Sequence, residues 1–172
     1  MDQWLRNALP AGCPLFMTTI LFAEDDPLTG RLYSTALGKA GFEVQLQTDG
    51  CSFMAKFLEA HPDAMLLDMM LPGLSGIEII KRVRATWLGK SIPIVALTNA
   101  YVPQMIAQMQ QAGANALFDK AVVTPHELCA VFKGLLLGSS STAGQERNES
   151  IKCQVSESGW ATVDRFVARR RK

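Results

Sequence analysis

The sequence predicts an α/β protein with a doubly wound, five-stranded parallel sheet and helices on both faces. From residue 18 to residue 137, short apolar runs alternate with segments of helical period, a pattern typical of parallel strands joined by crossover helices. Turn signals divide these segments, because Gly41 and Gly113 follow the first and fourth helical stretches and Thr124-Pro125 opens the fifth. A chain of 172 residues, 48% of them hydrophobic, can bury the core of one such domain.

Each strand is predicted from a short apolar run. The five predicted strands span 20–23, 42–46, 64–67, 92–97 and 116–118. Apolar residues at helical spacing follow each strand, and we interpret them as the core faces of five helices. In chain order these faces are Leu28, Leu32, Ala36 and Leu37; Phe53, Phe57 and Leu58; Ile77, Ile80, Val83 and Trp87; Met105, Ile106 and Met109; and Leu128, Val131, Phe132 and Leu135.

Two flanking segments differ in composition from the central domain at 18–137. Residues 1–17 form an N-terminal extension without a clear period, and Met17 stands directly before the first strand, so we hypothesise that translation starts there. Residues 138–172 form a flexible Ser/Gly-rich tail with a basic end. That end could contact a membrane surface, a nucleic acid or an acidic partner. The favoured interpretation is a frayed tail with no dedicated partner.

The bulk composition excludes several classes of function. A formal net charge of +1 provides no overall attraction to nucleic acid or to an anionic membrane. The four cysteines are widely scattered and lack the spacing of a zinc site, so we expect reduced thiols. No apolar run approaches the length of a membrane span. We therefore expect a cytoplasmic protein.

Polar side chains collect where the predicted strands end. Parallel strands joined by right-handed crossovers all end at one edge of the sheet, and ligands bind in the crevice there. The residues expected at this edge are Glu24, Asp25, Asp26, Asp68, Thr98, Asp119 and Lys120. They would bring three or four carboxylates, one hydroxyl and one ammonium together.

The carboxylates at this edge require a positive partner. Asp26 has a separate explanation, because an Asp followed by proline is a favoured helix start. Glu24, Asp25 and Asp68 would repel one another without a cation, and Mg²⁺ accepts a few carboxylates together with waters and phosphate oxygens. A carboxylate can also form an acyl phosphate. Asp68 is best placed for this, because it follows an apolar strand and precedes a Leu-Pro-Gly turn.

Four ordered segments carry a resemblance to a known family. ILFAEDD, AMLLDMMLPGLSGIEII, IPIVALTNA and GANALFDK resemble the receiver domain of two-component response regulators, and the resemblance covers about residues 18–137. By this interpretation we expect a stand-alone receiver, because no segment after residue 137 is long or apolar enough to form an effector domain. The resemblance implies the flavodoxin-like strand order 2-1-3-4-5.

The resemblance also implies a role for each residue of the strand-end cluster. Glu24, Asp25, Asp68 and the backbone carbonyl of Met70 would bind Mg²⁺. Asp68 would accept a phosphoryl group from a sensor histidine kinase or a phosphotransfer protein, and Thr98 and Lys120 would contact the phosphoryl oxygens. Such a receiver is a switch rather than an enzyme and acts through an unknown downstream protein. Related receivers often dimerise through the fourth and fifth helices, so a homodimer is possible here.

Three positions depart from the family pattern. Ala121 follows the lysine where proline is usual, Leu117 occupies a position that often carries Tyr or Phe, and Asn99 stands where a small residue is usual. These departures favour an alternative, a degenerate receiver that binds its partner without phosphate. The intact residues of the site favour the phosphoacceptor.

A metal-dependent phosphatase or a nucleotide-binding enzyme is a third class. A phosphatase of the haloacid dehalogenase type would need a second aspartate two residues after Asp68, where this chain has Met70. A nucleotide binder would need a glycine-rich loop after the first strand, where Asp26-Pro27 stands instead. This class is therefore disfavoured.

Overall fold

The computed structural model describes residues 17–99 and 103–137, together with the backbone of two short segments at 154–155 and 161–162. The strands of the main domain are β1 (Thr19–Ala23), β2 (Glu43–Gln47), β3 (Ala64–Asp68), β4 (Ile94–Thr98) and β5 (Ala116–Asp119). The helices are α1 (Pro27–Lys39), α2 (Gly50–Ala60), α3 (Gly76–Ala85), α4 (Pro103–Ala112) and α5 (Pro125–Leu137), with a 3₁₀ turn at Leu88–Lys90.

The sheet is parallel throughout and has the order β2-β1-β3-β4-β5, so the predicted fold class is confirmed. All five predicted strands are present, with ends displaced by at most two residues. The topological switch lies between β1 and β3, which pair directly although β2 separates them in the chain. A crevice is expected outside their carboxyl ends.

Two hydrophobic layers cover the sheet. On one face, α1 and α5 bury side chains such as Leu37 and Phe132 against Phe22 and Leu66 of the strands. On the other face, α2, α3 and α4 pack against the alternate strand residues, which include Leu67. β3 and β4 are buried along their whole length, as expected for central strands with helices on both sides.

Most residues of the predicted core faces are buried or half-buried, but four are exposed instead. Leu28 and Leu32 in α1 are 78% and 56% exposed, Leu58 is 59% exposed, and Trp87 is 82% exposed. In α1 the buried residues are Gly30, Tyr33 and Leu37. The helix therefore faces the sheet through a stripe rotated from the predicted one, and α3 ends at Ala85 before it reaches Trp87.

Local sequence signals determine where the helices begin and end. Asp26 caps α1, since its Oδ2 accepts a hydrogen bond from the Thr29 amide at 2.8 Å, and Pro27 takes the first helical position. Thr124 and Glu127 form a reciprocal capping box at the start of α5. Gly41 and Gly113 adopt positive φ values of 97° and 98° after their helices, as the glycine signals predict.

Arg84 connects several elements beneath α3, and the sequence contains no signal for it. Its guanidinium donates hydrogen bonds to the carbonyls of Gly113, Gly89 and Ile92 and to Oδ1 of Asn115. The same Asn115 oxygen accepts from the Ile94 amide at 2.8 Å. The cation therefore joins the end of α3 to the starts of β4 and β5.

Several sequence-based expectations concern residues outside the described part of the chain. The N-terminal extension up to residue 16 and most of the tail, with its basic end, belong to this group. Within the tail, the described backbone consists of a short antiparallel pairing of Gln154–Val155 with Ala161–Thr162. Cys51 and Cys129 are unpaired thiols. In the described part of the chain, every helix is too short or too polar to cross a membrane.

Candidate functional site

Three charged side chains meet at the carboxyl edge of the sheet. Glu24 follows β1, Asp68 ends β3, and Lys120 follows β5. The Lys120 ammonium donates a hydrogen bond to Oε1 of Glu24 at 2.8 Å and lies 2.9 Å from Oδ2 of Asp68. Glu24 and Asp68 are only 1% and 2% exposed, so this is a desolvated ionic cluster rather than a surface salt bridge.

Burial and charge act in opposite directions on this cluster. Burial raises the pKa of Glu24 above its usual value, and the ammonium of Lys120 opposes that rise. For Lys120, burial alone would lower the pKa, but hydrogen bonds and charge from Glu24 and Asp68 raise it overall. The lysine is therefore held as an ammonium between the two carboxylates.

The acidic residues also fit a divalent cation. One carboxylate oxygen from each of Glu24, Asp25 and Asp68 lies within 4.8 Å of the others. Oε2 of Glu24 is buried and, although Lys120 is 2.6 Å away, makes no hydrogen bond of good geometry in the described structure. Asp25 is exposed at the mouth. A cluster of hard oxygen ligands that opens to water on one side suits Mg²⁺.

The loop after β3 holds Asp68 in place. Oδ1 of Asp68 accepts a hydrogen bond from the Met70 amide at 3.2 Å, and the Gly76 amide donates to the Met69 carbonyl at 3.2 Å. A Cβ atom on Gly76 would come within 2.8 Å of the Asp68 carbonyl, so α3 begins in close contact with the strand end. Met70 is 70% exposed and lies at the rim.

Thr98 lies at the end of β4, beside the strand that carries Asp68. Its backbone carbonyl accepts a hydrogen bond from the Lys120 amide at 2.8 Å. The Thr98 hydroxyl donates to Sδ of Met105 in α4 at 3.3 Å. The structure therefore places Thr98 next to the ionic cluster, with its side chain engaged by α4.

The three departures from the family pattern have clear positions. Asn99 and Ala121 line the cleft, and Leu117 is buried in the core beneath α4. The peptide bond before Ala121 is trans, like every other peptide bond in the described residues. The loop is organised by Asp119, whose Oδ1 accepts a hydrogen bond from the Ala121 amide at 2.9 Å.

The cluster opens into a cleft of about 560 Å³. Glu24, Asp25, Asp68 and Lys120 form its floor and acidic wall, as the sequence predicted, whereas the contribution of α1 was not predicted. Thr29, Leu32 and Tyr33 form the α1 side of the cleft. Helical spacing predicts Leu32 in the core, and only the rotation of α1 on the sheet reveals it as a cleft residue.

Sequence comparisons identify relatives over the same region. The family model of the response regulator receiver domain matches residues 20–133. The transcriptional regulatory protein RstA of Escherichia coli (strain K12) is 41% identical over 83 residues, which are 48% of this chain and 34% of RstA. The transcriptional regulatory protein CseB of Streptomyces coelicolor is 32% identical over 136 residues, 77% of this chain and 55% of CseB. The chain thus spans between a third and just over half of these curated relatives.

Solved structures share the fold over the whole of the matched domain. The chemotaxis response regulator CheY4 of Vibrio cholerae superposes with a TM-score of 0.66 and 28% identity, covering 70% of this chain and 100% of that one. The receiver domain of the sensor histidine kinase PA1611 from Pseudomonas aeruginosa gives the same TM-score and identity, with 72% and 100% coverage. The PA1611 domain has a magnesium ion coordinated in its active site cleft.

Proposed function

The chain belongs to the response regulator receiver domain family, and from this premise we propose that it is a phosphoacceptor receiver of a two-component phosphorelay. The observation that carries the proposal is the convergence of Lys120 on Asp68 and Glu24 at the carboxyl edge of the sheet. Asp68 is the acceptor, and the donor is a phosphohistidine on a sensor histidine kinase or a phosphotransfer protein.

The proposed transfer uses groups that are already adjacent. A carboxylate oxygen of Asp68 attacks the phosphorus, the bond from phosphorus to the imidazole nitrogen breaks, and the electron pair leaves with the imidazole. Lys120 offsets the charge on the transferred group, and the Thr98 hydroxyl donates to one of its oxygens. Glu24, Asp25, Asp68 and the Met70 carbonyl would hold Mg²⁺, which when bound neutralises charge on the phosphoryl oxygens.

The product is an acyl phosphate that the same site hydrolyses with water. The protein is therefore a cytoplasmic phosphoprotein switch that catalyses only its own phosphorylation and dephosphorylation, without a diffusible product of its own. Its output is a contact with a downstream protein, and α4 with α5 is the surface on which a homodimer or this partner would form.

The second candidate is a receiver that binds its partner without phosphate. Leu117, at a position where the family often carries Tyr or Phe, and the exposed Asn99 at the cleft favour it. The phosphoacceptor is favoured because all five residues that the phosphoryl chemistry needs are present: Glu24, Asp25, Asp68, Thr98 and Lys120.

The test is ¹⁵N NMR with beryllofluoride, a stand-in for the phosphoryl group, and Mg²⁺, on the wild type and on Asp68→Asn. We expect Mg²⁺-dependent shifts that spread from Thr98 to α4 in the wild type and are absent from the mutant, together with loss of phosphoryl uptake in Asp68→Asn. A folded wild-type protein without shifts would support the phosphate-independent module. Uptake that persists in the mutant would exclude Asp68 as the acceptor.

A further inference from the structure

The contact between Thr98 and Met105 joins the edge of the candidate site to α4, a helix whose described residues do not line the cleft. Thr98 is 1% exposed, and its Oγ1 lies 3.3 Å from Sδ of Met105. Met105 occupies the first turn of α4 (Pro103–Ala112) and packs against the hydrophobic core on the α2–α4 face. The Thr98 hydroxyl at the edge of the site is thus hydrogen-bonded to Met105, a side chain of α4 that packs against the core.

The backbone of Thr98 is held by its neighbours in the sheet. Thr98 pairs with Asp119 in the β4–β5 ladder, and its carbonyl accepts a hydrogen bond from the Lys120 amide. The whole of β4 is buried between two helical layers. We therefore expect a change at Thr98 to occur mainly by rotation of its side chain between staggered positions.

The Met105 thioether is a weak hydrogen-bond acceptor for the Thr98 hydroxyl, and a stronger acceptor can replace it. Sulfur in methionine accepts hydrogen bonds weakly, whereas a charged phosphoryl oxygen forms shorter bonds that are roughly twice as strong as neutral ones. A phosphoryl group on Asp68, one strand away from Thr98, would therefore draw the hydroxyl away from Met105. Met105 would then lose a polar contact that orients its flexible side chain in the first turn of α4.

We propose that Met105 is a positioning residue, whose thioether holds the Thr98 hydroxyl in the unphosphorylated state and transmits its departure to α4. The second half of this proposal rests on the proposed function of Asp68. The side chain of Leu117, which is 5% exposed on β5, is purely apolar and cannot accept a hydrogen bond from the Thr98 hydroxyl. Met105 therefore supplies a polar link between Thr98 and α4 that Leu117 cannot make.

The contact in the free protein is tested by ¹³C NMR of the methionine methyl groups. Thr98→Val keeps the shape of the side chain but removes the hydroxyl, so we expect the Met105 methyl resonance to move in this variant. The methyl of Met109, which is fully buried in the same helix, serves as the internal control and should stay in place. An unchanged Met105 resonance in Thr98→Val would overturn the proposal.

The transmission is tested with Mg²⁺ and beryllofluoride. In the wild type we expect the Met105 methyl to move toward its position in Thr98→Val, while the same addition leaves Met105 unmoved in that variant. In Met105→Leu, the Met70 amide should still respond to the ligand, whereas the α4 amide shifts should fall by more than half. Met105→Gln, which restores an acceptor, should recover them.

The outcomes separate this proposal from the proposed function. A shift of the Met70 amide without movement of Met105 would refute the transmission while leaving the phosphoacceptor intact. If neither responds, the phosphoacceptor function fails, and transmission fails with it. The comparison of the free proteins still decides whether Met105 positions the hydroxyl.

Discussion

The ammonium of Lys120 lies 2.6 Å from Oε2 of Glu24, inside the cluster of carboxylates that fits a divalent cation. The lysine therefore already provides the positive charge that three neighbouring carboxylates require. A metal ion that enters the cluster has to share Glu24 and Asp68 with this ammonium or displace it. The relationship between the two residues predicts competition between an internal and an external cation.

Lys120→Met should therefore increase the affinity for Mg²⁺. Two unit charges about 4 Å apart interact by roughly 4 kcal/mol at an effective dielectric near 20, and even a third of this corresponds to about tenfold in the dissociation constant. The measurement is an Mg²⁺ titration followed by the amide resonances of Asp25 and Met70. Lys133→Met, at an exposed position in α5, is the matched control. Unchanged or weaker binding by Lys120→Met would contradict the competition.

Leu32 should contribute to recognition of a protein phosphodonor. Asp68 is only 2% exposed, so a donor protein must cover the cleft mouth, where Leu32 is 56% exposed. Leu32→Ser should slow phosphotransfer from a histidine kinase that labels the wild type by about fivefold, the effect of roughly 1 kcal/mol at an interface. Labelling by acetyl phosphate, which needs no docking, should be unaffected.

The control for Leu32 is Leu58→Ser, because Leu58 is similarly exposed but lies in α2 and does not line the cleft. Equal rates of protein phosphotransfer for the wild type and Leu32→Ser would show that the donor does not use the α1 side of the cleft.

Arg84 should be important for stability, whereas its neighbour Arg82 should not. Arg84→Met leaves three backbone carbonyls and the Asn115 side chain without their charged donor, and we expect a loss of about 2 to 4 kcal/mol in the free energy of unfolding. Arg82 forms an exposed pair with Glu78, so Arg82→Met should cost roughly 0.5 kcal/mol or less. Urea denaturation measures both, and equal losses would refute the distinction.

Two glycines should respond to alanine in opposite directions. Gly38 lies in α1 with no atom within 4 Å of an added Cβ, so Gly38→Ala should stabilise the protein by about 0.5 to 1 kcal/mol through lower entropy of the unfolded chain. At Gly89 an added Cβ would overlap the Val83 carbonyl oxygen, and Gly89→Ala should destabilise by about 1 to 3 kcal/mol. Thermal unfolding would reveal the signs, and a stabilising Gly89→Ala would disprove the close approach.

Asp49 should make part of the stability depend on pH. It caps α2, and hydrogen bonds from the Ser52 hydroxyl and amide lower its pKa below the usual 3.8. The folded protein therefore holds this proton less tightly than the unfolded chain, so the stabilisation is present above pH 3.8 and is lost as the pH falls through the lower folded pKa.

The comparison of wild type with Asp49→Asn isolates this effect, because asparagine can also cap a helix but does not titrate in this range. We expect the wild type to be the more stable protein at pH 7 and its advantage to shrink as the pH falls below 3.8 and through the lower folded pKa, as measured by urea midpoints at each pH. An advantage that is constant with pH would rule out Asp49 as the titrating group.

The sequence predicted the site better than it predicted the helix faces. Glu24, Asp68 and Lys120 follow apolar runs, and strand ends in a parallel sheet share one edge, so their convergence could be anticipated from the order of residues alone. Leu28 and Leu32 match a helical stripe equally well, but the structure exposes them. Periodicity defines a stripe and does not determine which of two adjacent stripes faces the sheet.

What the sequence determined by itself is local and periodic: the five strands, the Asp26 and Thr124 caps, the glycine ends of helices and the polar residues at the strand ends. Tertiary structure decided the relationships between distant side chains, such as the hydrogen bond from Thr98 to Met105 and the four bonds of Arg84. These depend on the rotation and separation of packed elements to within an ångström. That geometry follows from how side chains fill the space between layers, and no spacing along the chain records it.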